Sequence, residues 1–313
     1  MKIAFLFPGQ GSQYVGMGKE LYDNFEIVRD FYNNLSSNFV KDLTFNGPEE
    51  KLRQTTYTQP CLVALELAIA FLLESKFGIR AEGVLGLSLG EYSSLVYANI
   101  INSDEAVNLV HKRGIIMDTS LSDVNGSMSA ILNIDDTVLE NICRKISDET
   151  NQIVEVANYN CPGQRVITGH AEAVSKASEV CIANGARKAI PLNVSGPFHS
   201  SLYKEASKKL RKELDKLELD TQLCDVYFNS TGGKSNENLR DIMQRQIYSP
   251  VLFENCIEEM IKDGFDTFIE VGPSTTLSGF VKKIERKVKT YNVEDIKSLN
   301  KVLEVFKKER IGD

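Results

Sequence analysis

The chain of 313 residues contains no tryptophan, only three histidines and no long uninterrupted apolar run. The N-terminal apolar stretch, Ile3–Phe7, has five residues before Pro8 and Gly9 interrupt it. A secretory h-region needs about 7–15 apolar residues, and a membrane span needs about 20. We therefore expect a buried first strand here, and neither a secretion signal nor a membrane anchor.

The six cysteines lack the spacing of a metal site. They are dispersed, with no C-x-x-C pair and no cluster of Cys and His at metal-ligand distances. In a chain of this size they are expected to be reduced and mostly buried, as small hydrophobic side chains. This predicts a cytoplasmic protein without a structural metal. The cysteines are Cys61, Cys143, Cys161, Cys181, Cys224 and Cys256.

The chain has no excess of positive charge. Its 36 basic and 43 acidic residues give a net charge of −7, which argues against a nucleic-acid-binding protein that relies on bulk positive charge. With 42% hydrophobic and 25% charged residues, the chain is long enough for one large domain that carries a smaller insert.

Four short apolar runs end in turn residues, and long helical patterns such as Gln59–Ser75 and Ser200–Leu219 separate them. Apolar strands that alternate with helices are typical of a parallel sheet covered on both faces. Functional residues are then expected in the loops beyond the carboxyl ends of the strands. The four predicted strands are Ile3–Phe7, Gly83–Leu87, Asp225–Phe228 and Thr267–Val271.

The middle of the chain predicts a different unit, with the order β-α-β-β-α-β of a ferredoxin-like fold. We expect this insert at residues 126–195, within a large α/β catalytic domain formed by residues 1–125 and 196–313. The predicted strands of the insert are Met128–Leu132, Ile153–Asn158, Gln164–Gly169 and Arg187–Leu192, and its helices are Thr137–Ile146 and Ala171–Asn184.

The sharpest local motif is G-x-S-x-G at Gly86–Gly90, which follows an apolar run and leads into a helical pattern. This is the pattern of a nucleophile elbow, in which a serine sits at a strained strand-to-helix turn and the glycines allow close backbone approach. Ser88 would be the nucleophile, and the backbone N–H of Leu89 would face a developing oxyanion. The alternative is a chance occurrence of a short pattern.

A serine nucleophile needs a general base, which is usually histidine. His111 lies in the helical run Ala106–Arg113, and His170 closes a predicted strand of the insert. His199 lies in a non-helical segment where the chain returns to the large domain, so we favour it, with a structural role at a helix start as the alternative. No acidic residue stands out as a third member, and a backbone carbonyl or amide could orient the imidazole instead.

The loop Pro8–Gln13 is glycine-rich but matches no nucleotide-binding motif. G-x-G-x-x-G would need glycine where Tyr14 stands, and the Lys-Ser/Thr pair of a phosphate-binding loop is missing. The loop could supply a donor to an oxyanion, or it could be a tight structural turn.

Arg113 precedes a glycine and could be a solvated charge at a helix end. If it points inward, its planar guanidinium suits a substrate carboxylate.

Two basic helical stretches, at Lys208–Lys212 and Lys282–Lys287, are explained most simply as solvated helix faces. In an acidic protein they are also a candidate docking surface for an acidic partner.

Together these segments resemble the malonyl-CoA:acyl carrier protein transacylases, the free-standing acyltransferases of bacterial fatty-acid synthesis. The resemblance extends from the first strand to near residue 285, and it depends on the order of many motifs. These are FPGQGSQ (Phe7–Gln13), TQPCL (Thr58–Leu62), GLSLGEYSSL (Gly86–Leu95), Arg113-Gly114, NYNCPGQ (Asn158–Gln164), GPFHS (Gly196–Ser200), NSTG (Asn229–Gly232), QIYSPV (Gln246–Val251) and EVGPSTTLSGFVKKI (Glu270–Ile284).

The resemblance implies a hydrolase-like α/β core with a ferredoxin-like insert. It implies ping-pong transfer of malonyl from malonyl-CoA to the phosphopantetheine thiol of an acyl carrier protein, with no bound cofactor and no metal. Ser88 would be the acyl-accepting nucleophile and His199 its base. Gln10 and the Leu89 N–H would form the oxyanion hole, and the carbonyl of Gln246 would orient the imidazole.

The resemblance also assigns the substrate-binding positions. Arg113 would bind the malonyl carboxylate, and Phe198 favours malonyl over methylmalonyl. The remaining pocket positions would be Met117, Asn158, Asn160 and Gln164.

Three residues depart from the family pattern: Leu87 stands where most members have histidine, Phe253 where tryptophan is common, and Ser278 where threonine is frequent. None of them removes a required chemical group, but Leu87 makes the pocket wall more apolar.

We expect a monomer that meets an acidic carrier protein transiently and binds neither nucleic acid nor membrane. The alternative functions are a free-standing acyltransferase or an acyl hydrolase of a polyketide pathway, and a docking subunit without catalytic activity.

Overall fold

The computed structural model describes the backbone of residues 1–311. Packing divides the chain into two units. The first consists of Met1–Gly114, Leu217–Tyr227 and the chain from Met260 onward, and the second consists of Ile115–Lys216 and Phe228–Glu259. The predicted insert at 126–195 falls within the second unit, and its boundaries stay a prediction.

The strands are β1 (Ile3–Phe7), β2 (Gly83–Gly86), β3 (Gly126–Leu132), β4 (Val154–Cys161), β5 (Gln164–His170), β6 (Lys188–Pro191), β7 (Asp225–Tyr227), β8 (Thr267–Val271) and β9 (Lys289–Val293). The helices are α1 (Lys19–Asn24), α2 (Glu26–Asn34), α3 (Asn38–Asn46), α4 (Glu49–Leu52), α5 (Thr55–Phe77), α6 (Gly90–Tyr97), α7 (Ser103–Ser120), α8 (Asp136–Thr150), α9 (Ala171–Ala183), α10 (Lys204–Leu214), α11 (Leu239–Gln246), α12 (Phe253–Lys262), α13 (Thr276–Ile284) and α14 (Ile296–Ile311).

The first unit is built on a parallel five-stranded sheet in the order β7-β2-β1-β8-β9. The central strands β1 and β8 are buried throughout, as continuous apolar runs in parallel sheets generally are. Both have the predicted bounds, while β2 and β7 each end one residue earlier than predicted. The edge strand β9 was missed because it is only partly buried and begins at a lysine.

The long helix α5 is buried over most of its length, and it begins four residues before the predicted start at Gln59. Proline is over-represented in the first turn of a helix, whereas Pro60 lies inside α5. Another predicted helix, Ser200–Leu219, is a short 3₁₀ turn at Ser201–Tyr203 followed by α10.

The expectation that a helix ends at Arg113 was wrong, since α7 continues to Ser120. Gly114 does not stop the helix but allows it to pack closely. A Cβ atom at Gly114 would lie 2.6 Å from the Cα atom of Thr56 and 2.9 Å from the carbonyl oxygen of Thr55.

The second unit contains an antiparallel four-stranded sheet in the order β4-β5-β3-β6. Helices α8 and α9 pack against it around a core that includes Ile131, Leu139 and Ile167. The order β-α-β-β-α-β along the chain confirms the predicted ferredoxin-like unit. With the parallel sheet of the first unit, it confirms the predicted fold class.

Five of the six cysteines are buried, and Cys224 is partly exposed, so their expected burial is confirmed. Within residues 1–311, no helix is both long and apolar enough to cross a lipid bilayer.

Candidate active site

The nucleophile elbow forms where β2 turns into α6. Ser88 has φ = 53°, in the left-handed region that non-glycine residues rarely occupy. A Cβ atom at Gly86 would lie 1.8 Å from the carbonyl carbon of Gly90, and one at Gly90 would lie 2.2 Å from the carbonyl oxygen of Phe7. Only glycine fits at either position, so the predicted reason for both glycines is confirmed.

Leu89 is 1% exposed and immediately precedes α6. The backbone N–H groups of Gly90 and Glu91 donate to the carbonyls of Leu87 and Ser88, and the helix dipole favours negative charge at this end of α6. The N-terminus of α6 is thus chemically suited to stabilise an oxyanion that forms on a carbonyl attacked by Ser88.

The loop after β1 lies against the residue that precedes the nucleophile. The backbone N–H of Leu87 donates to the carbonyl of Phe7 at 2.9 Å, and a Cβ atom at Gly9 would lie 2.9 Å from the carbonyl oxygen of Leu87. The Nε2 atom of Gln10 donates to the hydroxyl of Thr55 at 3.1 Å. This loop borders a cavity of about 400 Å³ that is lined by Pro8, Gly9, Gln10, Gly11, Ser12, Leu87, Pro273, Ser274, Thr276, Leu277 and Glu294.

Arg113 is turned inward, not solvated at a helix end. Its side chain is 1% exposed, and its Nη2 atom lies 3.5 Å from the Oγ atom of Ser88. The guanidinium carbon lies 5.5 Å from the ring centroid of Tyr92, a stacking distance at which the ring stabilises the cation. Burial raises the pKa of Tyr92 to about 12, although the neighbouring Arg113 charge opposes this shift. The arrangement places a desolvated cation beside the nucleophile.

The buried carboxyl group of Glu66 on α5 contacts α6, the helix that follows the nucleophile. The hydroxyl of Ser93 on α6 donates to Glu66 on α5, and Glu66 is fully buried. Burial raises the pKa of Glu66 well above its ordinary value, and the nearby Glu270 carboxylate raises it further. Glu270 itself accepts the backbone N–H groups of Leu277 and Ser278 at the start of α13. Glu66 is therefore expected to be protonated in the folded protein.

Replacing Glu66 with Gln should change how stability depends on pH. Since the folded-state pKa is raised, the contribution of Glu66 to stability is fully present below the pKa of the unfolded chain, about 4.3, and is lost as pH rises towards the folded pKa. Glutamine keeps the shape and has no proton to lose. The free energy of unfolding of Glu66→Gln relative to wild type should therefore increase with pH, by up to about 1.4 kcal/mol per pH unit.

Urea unfolding between pH 5 and 9 measures this difference, with the exposed Glu179→Gln as control. Parallel pH profiles for wild type and Glu66→Gln would contradict the assignment of a buried neutral acid.

In the second unit, His199 is 5% exposed and has φ = 59°. Its Nδ1 atom lies 3.0 Å from the carbonyl oxygen of Gln246 and 3.2 Å from that of Ser249. Two carbonyl acceptors favour the tautomer that is protonated at Nδ1, which makes Nε2 the unprotonated, basic nitrogen of the ring. The family resemblance implied the Gln246 carbonyl but not that of Ser249, and the residue types alone predict neither, because a backbone carbonyl leaves no signal in the residue type.

The other two histidines, His111 and His170, make contacts that stabilise the fold. His111 packs against the ring of Phe39 with centroids 4.9 Å apart, and partial burial lowers its pKa. The Nδ1 atom of His170 accepts the backbone N–H of Ile153 at 2.9 Å, which joins the ends of two strands. These contacts explain both residues without a catalytic role.

The expected pocket positions of the second unit are mostly buried. Asn158 forms a bridge with Val251, five residues after Gln246, and this contact ties the segment facing His199 to β4. Asn160 is 6% exposed, and its Oδ1 atom has no hydrogen-bond partner among the described residues. Gln164 opens β5 and is partly exposed, whereas Met117 and Phe198 are buried.

The first unit therefore holds Gln10, Ser88, Leu89 and Arg113, and the second holds His199 with Gln246 and the remaining pocket positions. The supporting side chains Thr55, Glu66 and Tyr92 were not identified from the sequence, since nothing in their residue types distinguishes them from ordinary helix residues. Among the side chains that the structure describes, no group of three or more His, Cys, Asp or Glu could hold a metal ion.

Comparisons with known proteins agree with this chemistry. A family model described as an acyl transferase domain matches residues 4–308. A malonyl CoA-acyl carrier protein transacylase of Bacillus subtilis is 41% identical, with 98% of each chain covered. The crystal structure of a malonyl CoA-acyl carrier protein transacylase from Clostridium perfringens matches with a TM-score of 0.95 at 42% identity, covering 99% of each chain.

A further solved structure matches with a TM-score of 0.92 at 36% identity, over 97% of this chain and 99% of the other. That structure holds a malonyl-transacylase in complex with the acyl-carrier protein of a type II polyketide synthase.

Proposed function

Because the chain belongs to the acyl transferase family, we propose that it transfers a malonyl group from malonyl-CoA to the phosphopantetheine thiol of an acyl carrier protein. The observation that carries this proposal is the buried guanidinium of Arg113 at 3.5 Å from the Ser88 hydroxyl. A malonyl group bound to Ser88 ends in a carboxylate, which such a cation would bind with charge-assisted hydrogen bonds.

Ser88 is the nucleophile that attacks the thioester carbonyl of malonyl-CoA, and His199 takes its proton. The negative charge that develops on the carbonyl oxygen is stabilised by the backbone N–H of Leu89 and by an N–H donor of Gln10. When the intermediate collapses, the C–S bond breaks and His199 returns the proton to the departing CoA thiolate. A malonyl ester on Ser88 results.

The second half-reaction runs the same steps in reverse with a different thiol. The phosphopantetheine thiol of the carrier protein gives its proton to His199 and attacks the malonyl ester, and Ser88 leaves with that proton. Since one thioester is exchanged for another, the transfer needs no external energy source. The carbonyl of Gln246 holds the Nδ1–H of His199 throughout, which keeps Nε2 as the reacting atom.

The substrate pocket completes the proposal. Asn160 supports it with a buried Oδ1 atom that finds no partner among the residues described, since such a group gains by binding a ligand. Phe198 and Met117 supply apolar walls, and Asn158 and Gln164 supply amides near the bound acyl chain.

The carrier protein would dock on a surface that the contacts of this chain do not define. Lys208 pairs with Glu205 at 2.8 Å, and Arg211 pairs with both Asp215 and Asp241. Local carboxylates therefore offset part of the positive charge on α10. A docking role for Lys208, Lys209, Arg211, Lys282 and Lys283 stays a prediction, as do the monomeric state and the cytoplasmic location.

The test is intact-protein mass spectrometry after brief mixing with malonyl-CoA or, in parallel, acetyl-CoA. We expect a malonyl adduct to form, with little acetyl adduct, and a holo acyl carrier protein to remove it much faster than buffer does. Parallel chases with a fatty-acid and a polyketide carrier protein compare the two possible acceptors. Equal decay in buffer and with carrier protein would indicate a hydrolase, and absence of an adduct with every acyl-CoA would end the proposal.

A further inference from the structure

We propose that Glu155 is a positioning residue for the acyl transfer, because its carboxylate fixes the backbone segment that carries His199. This inference rests on the proposed function, and it concerns a residue to which neither the sequence motifs nor the comparisons assign a role. It begins from one contact: a carboxylate oxygen of Glu155 accepts the backbone N–H of Ser201 at 2.5 Å. All three residues lie in the second unit.

The backbone at His199 depends on its neighbours for support. Its φ of 59° lies in the left-handed region, which a residue with a side chain rarely occupies and which persists only where surrounding contacts hold it. On the N-terminal side the support comes from packing against β3. A Cβ atom at Gly126 would lie only 2.4 Å from the Cδ atom of Pro197. On the C-terminal side the segment needs a second fixed point.

The 3₁₀ turn Ser201–Tyr203 begins two residues after His199 and leads into α10. Backbone N–H groups at the start of a helical segment have no partner within it and are usually capped by a side chain. The preceding residue, Ser200, provides no such cap, and its hydroxyl donates to the carbonyl of Pro197 at 2.7 Å. The carboxylate of Glu155 acts as the cap instead, at an end of the helix that favours negative charge.

Strand β4 presents Glu155 on the face of the antiparallel sheet that is turned away from helices α8 and α9. Val154 and Val156 belong to the core that these helices form with the sheet. Because successive side chains of a strand point to opposite faces, Glu155 lies on the other face. The contact with Ser201 therefore joins that face of β4 to the segment that carries His199.

The same strand also holds the backbone carbonyls that orient the imidazole. Segment 246–251 is joined to β4 by two backbone hydrogen bonds of Val251, at 2.8 and 2.9 Å. Two carbonyls of this segment lie at 3.0 and 3.2 Å from Nδ1 of His199. Strand β4 thus fixes both the backbone of the proposed base and the acceptors of its ring, and Glu155 supplies the side-chain contact of this arrangement.

The central variant is Glu155→Ala, which removes the acceptor of the Ser201 N–H. We expect kcat to fall about tenfold, because a small displacement of the base slows proton transfer in both half-reactions. The KM for malonyl-CoA should stay within about twofold, and malonyl and acetyl transfer should slow equally, since the same base serves both. Glu155→Gln keeps an acceptor oxygen and should restore most of kcat. Glu155→Val, which suits a strand, replaces the alanine variant if that does not fold, with the same expected loss.

A double-mutant cycle separates positioning of the base from a general structural role. If Glu155 acts through His199, the double variant His199→Ala/Glu155→Ala should be no slower than His199→Ala alone. Glu140→Ala is the matched control, because the carboxylate of Glu140 on α8 also contacts β4, where it accepts the hydroxyl of Tyr159 at 2.6 Å. Its loss should leave kcat unchanged.

Three results would overturn the inference: wild-type kcat in Glu155→Ala, losses that multiply in the double variant, or a loss that Glu155→Gln does not restore. Each of them can occur while the wild-type protein still forms and transfers a malonyl adduct, which separates failure of this inference from failure of the proposed function. Wild-type kcat in His199→Ala would remove the role of His199 as the base, and this inference with it.

Discussion

Replacement of Ser88 with Ala should abolish the malonyl adduct and lower kcat by about 10⁵-fold or more, the scale seen when a serine nucleophile is removed from a serine–histidine pair. No other hydroxyl can take its place at the strained turn, because Ser88 alone stands between the two glycines that permit the close approach of β1, β2 and α6. Mass spectrometry after mixing with malonyl-CoA measures the adduct, and a carrier-protein assay measures kcat.

Ser94→Ala is the matched control for this prediction. Ser94 lies on the same helix and is fully buried, and its Oγ atom has no hydrogen-bond partner within the described part of the chain. Its loss should leave the adduct and kcat close to wild type. A malonyl adduct that persists in Ser88→Ala, mapped by peptide analysis to another residue, would exclude Ser88 as the nucleophile.

Replacement of Arg113 with Ala should change acyl selectivity more than it changes catalysis. We expect kcat/KM for malonyl-CoA to fall by about 10²–10³-fold, since a carboxylate left without its partner in a buried site loses several kcal/mol. Acetyl-CoA has no carboxylate, so its kcat/KM should change little. Arg113→Lys should recover only part of the malonyl activity, because lysine keeps the charge and lacks the planar fork.

The control for this second prediction is Lys112→Ala, which removes the adjacent, exposed cation. Steady-state kinetics with both acyl-CoA substrates give the ratio of the two kcat/KM values, which a merely structural role of Arg113 would leave unchanged. Equal losses for malonyl and acetyl transfer would therefore show that Arg113 supports the fold and does not select the acyl group. Such a result would favour the hydrolase alternative, which needs no carboxylate clamp.

The sequence predicted best where structure is decided by neighbours along the chain. The bounds of β1 and β8 were correct because continuous apolar runs with turn residues at both ends mark buried parallel strands. The order of elements in the ferredoxin-like unit was correct for the same reason. Predicted helix bounds failed in two places: α5 begins four residues before Gln59, and Gly114 packs α7 against α5 without ending the helix.

In the candidate site, too, some features follow from neighbouring residues and others from tertiary packing. The turn at Ser88 is a local feature, since the two glycines of its own motif permit the backbone geometry, and the sequence alone therefore predicted it. The direction of Arg113 is not local. An arginine before a glycine is compatible with a solvated helix end, and only the tertiary structure shows that α7 continues past Gly114 and that Arg113 is buried.

The sequence by itself determined the fold class, the nucleophile turn and the short list of side chains able to act there, because these follow from local patterns of apolar residues, glycines and histidines. Only the tertiary structure decided which groups support them: Thr55 beside Gln10, Glu66 in contact with Ser93, and the Ser249 carbonyl at His199. The members of these pairs are separated by 45, 27 and 50 residues. Contacts over such distances arise from packing of whole elements, which no local pattern encodes.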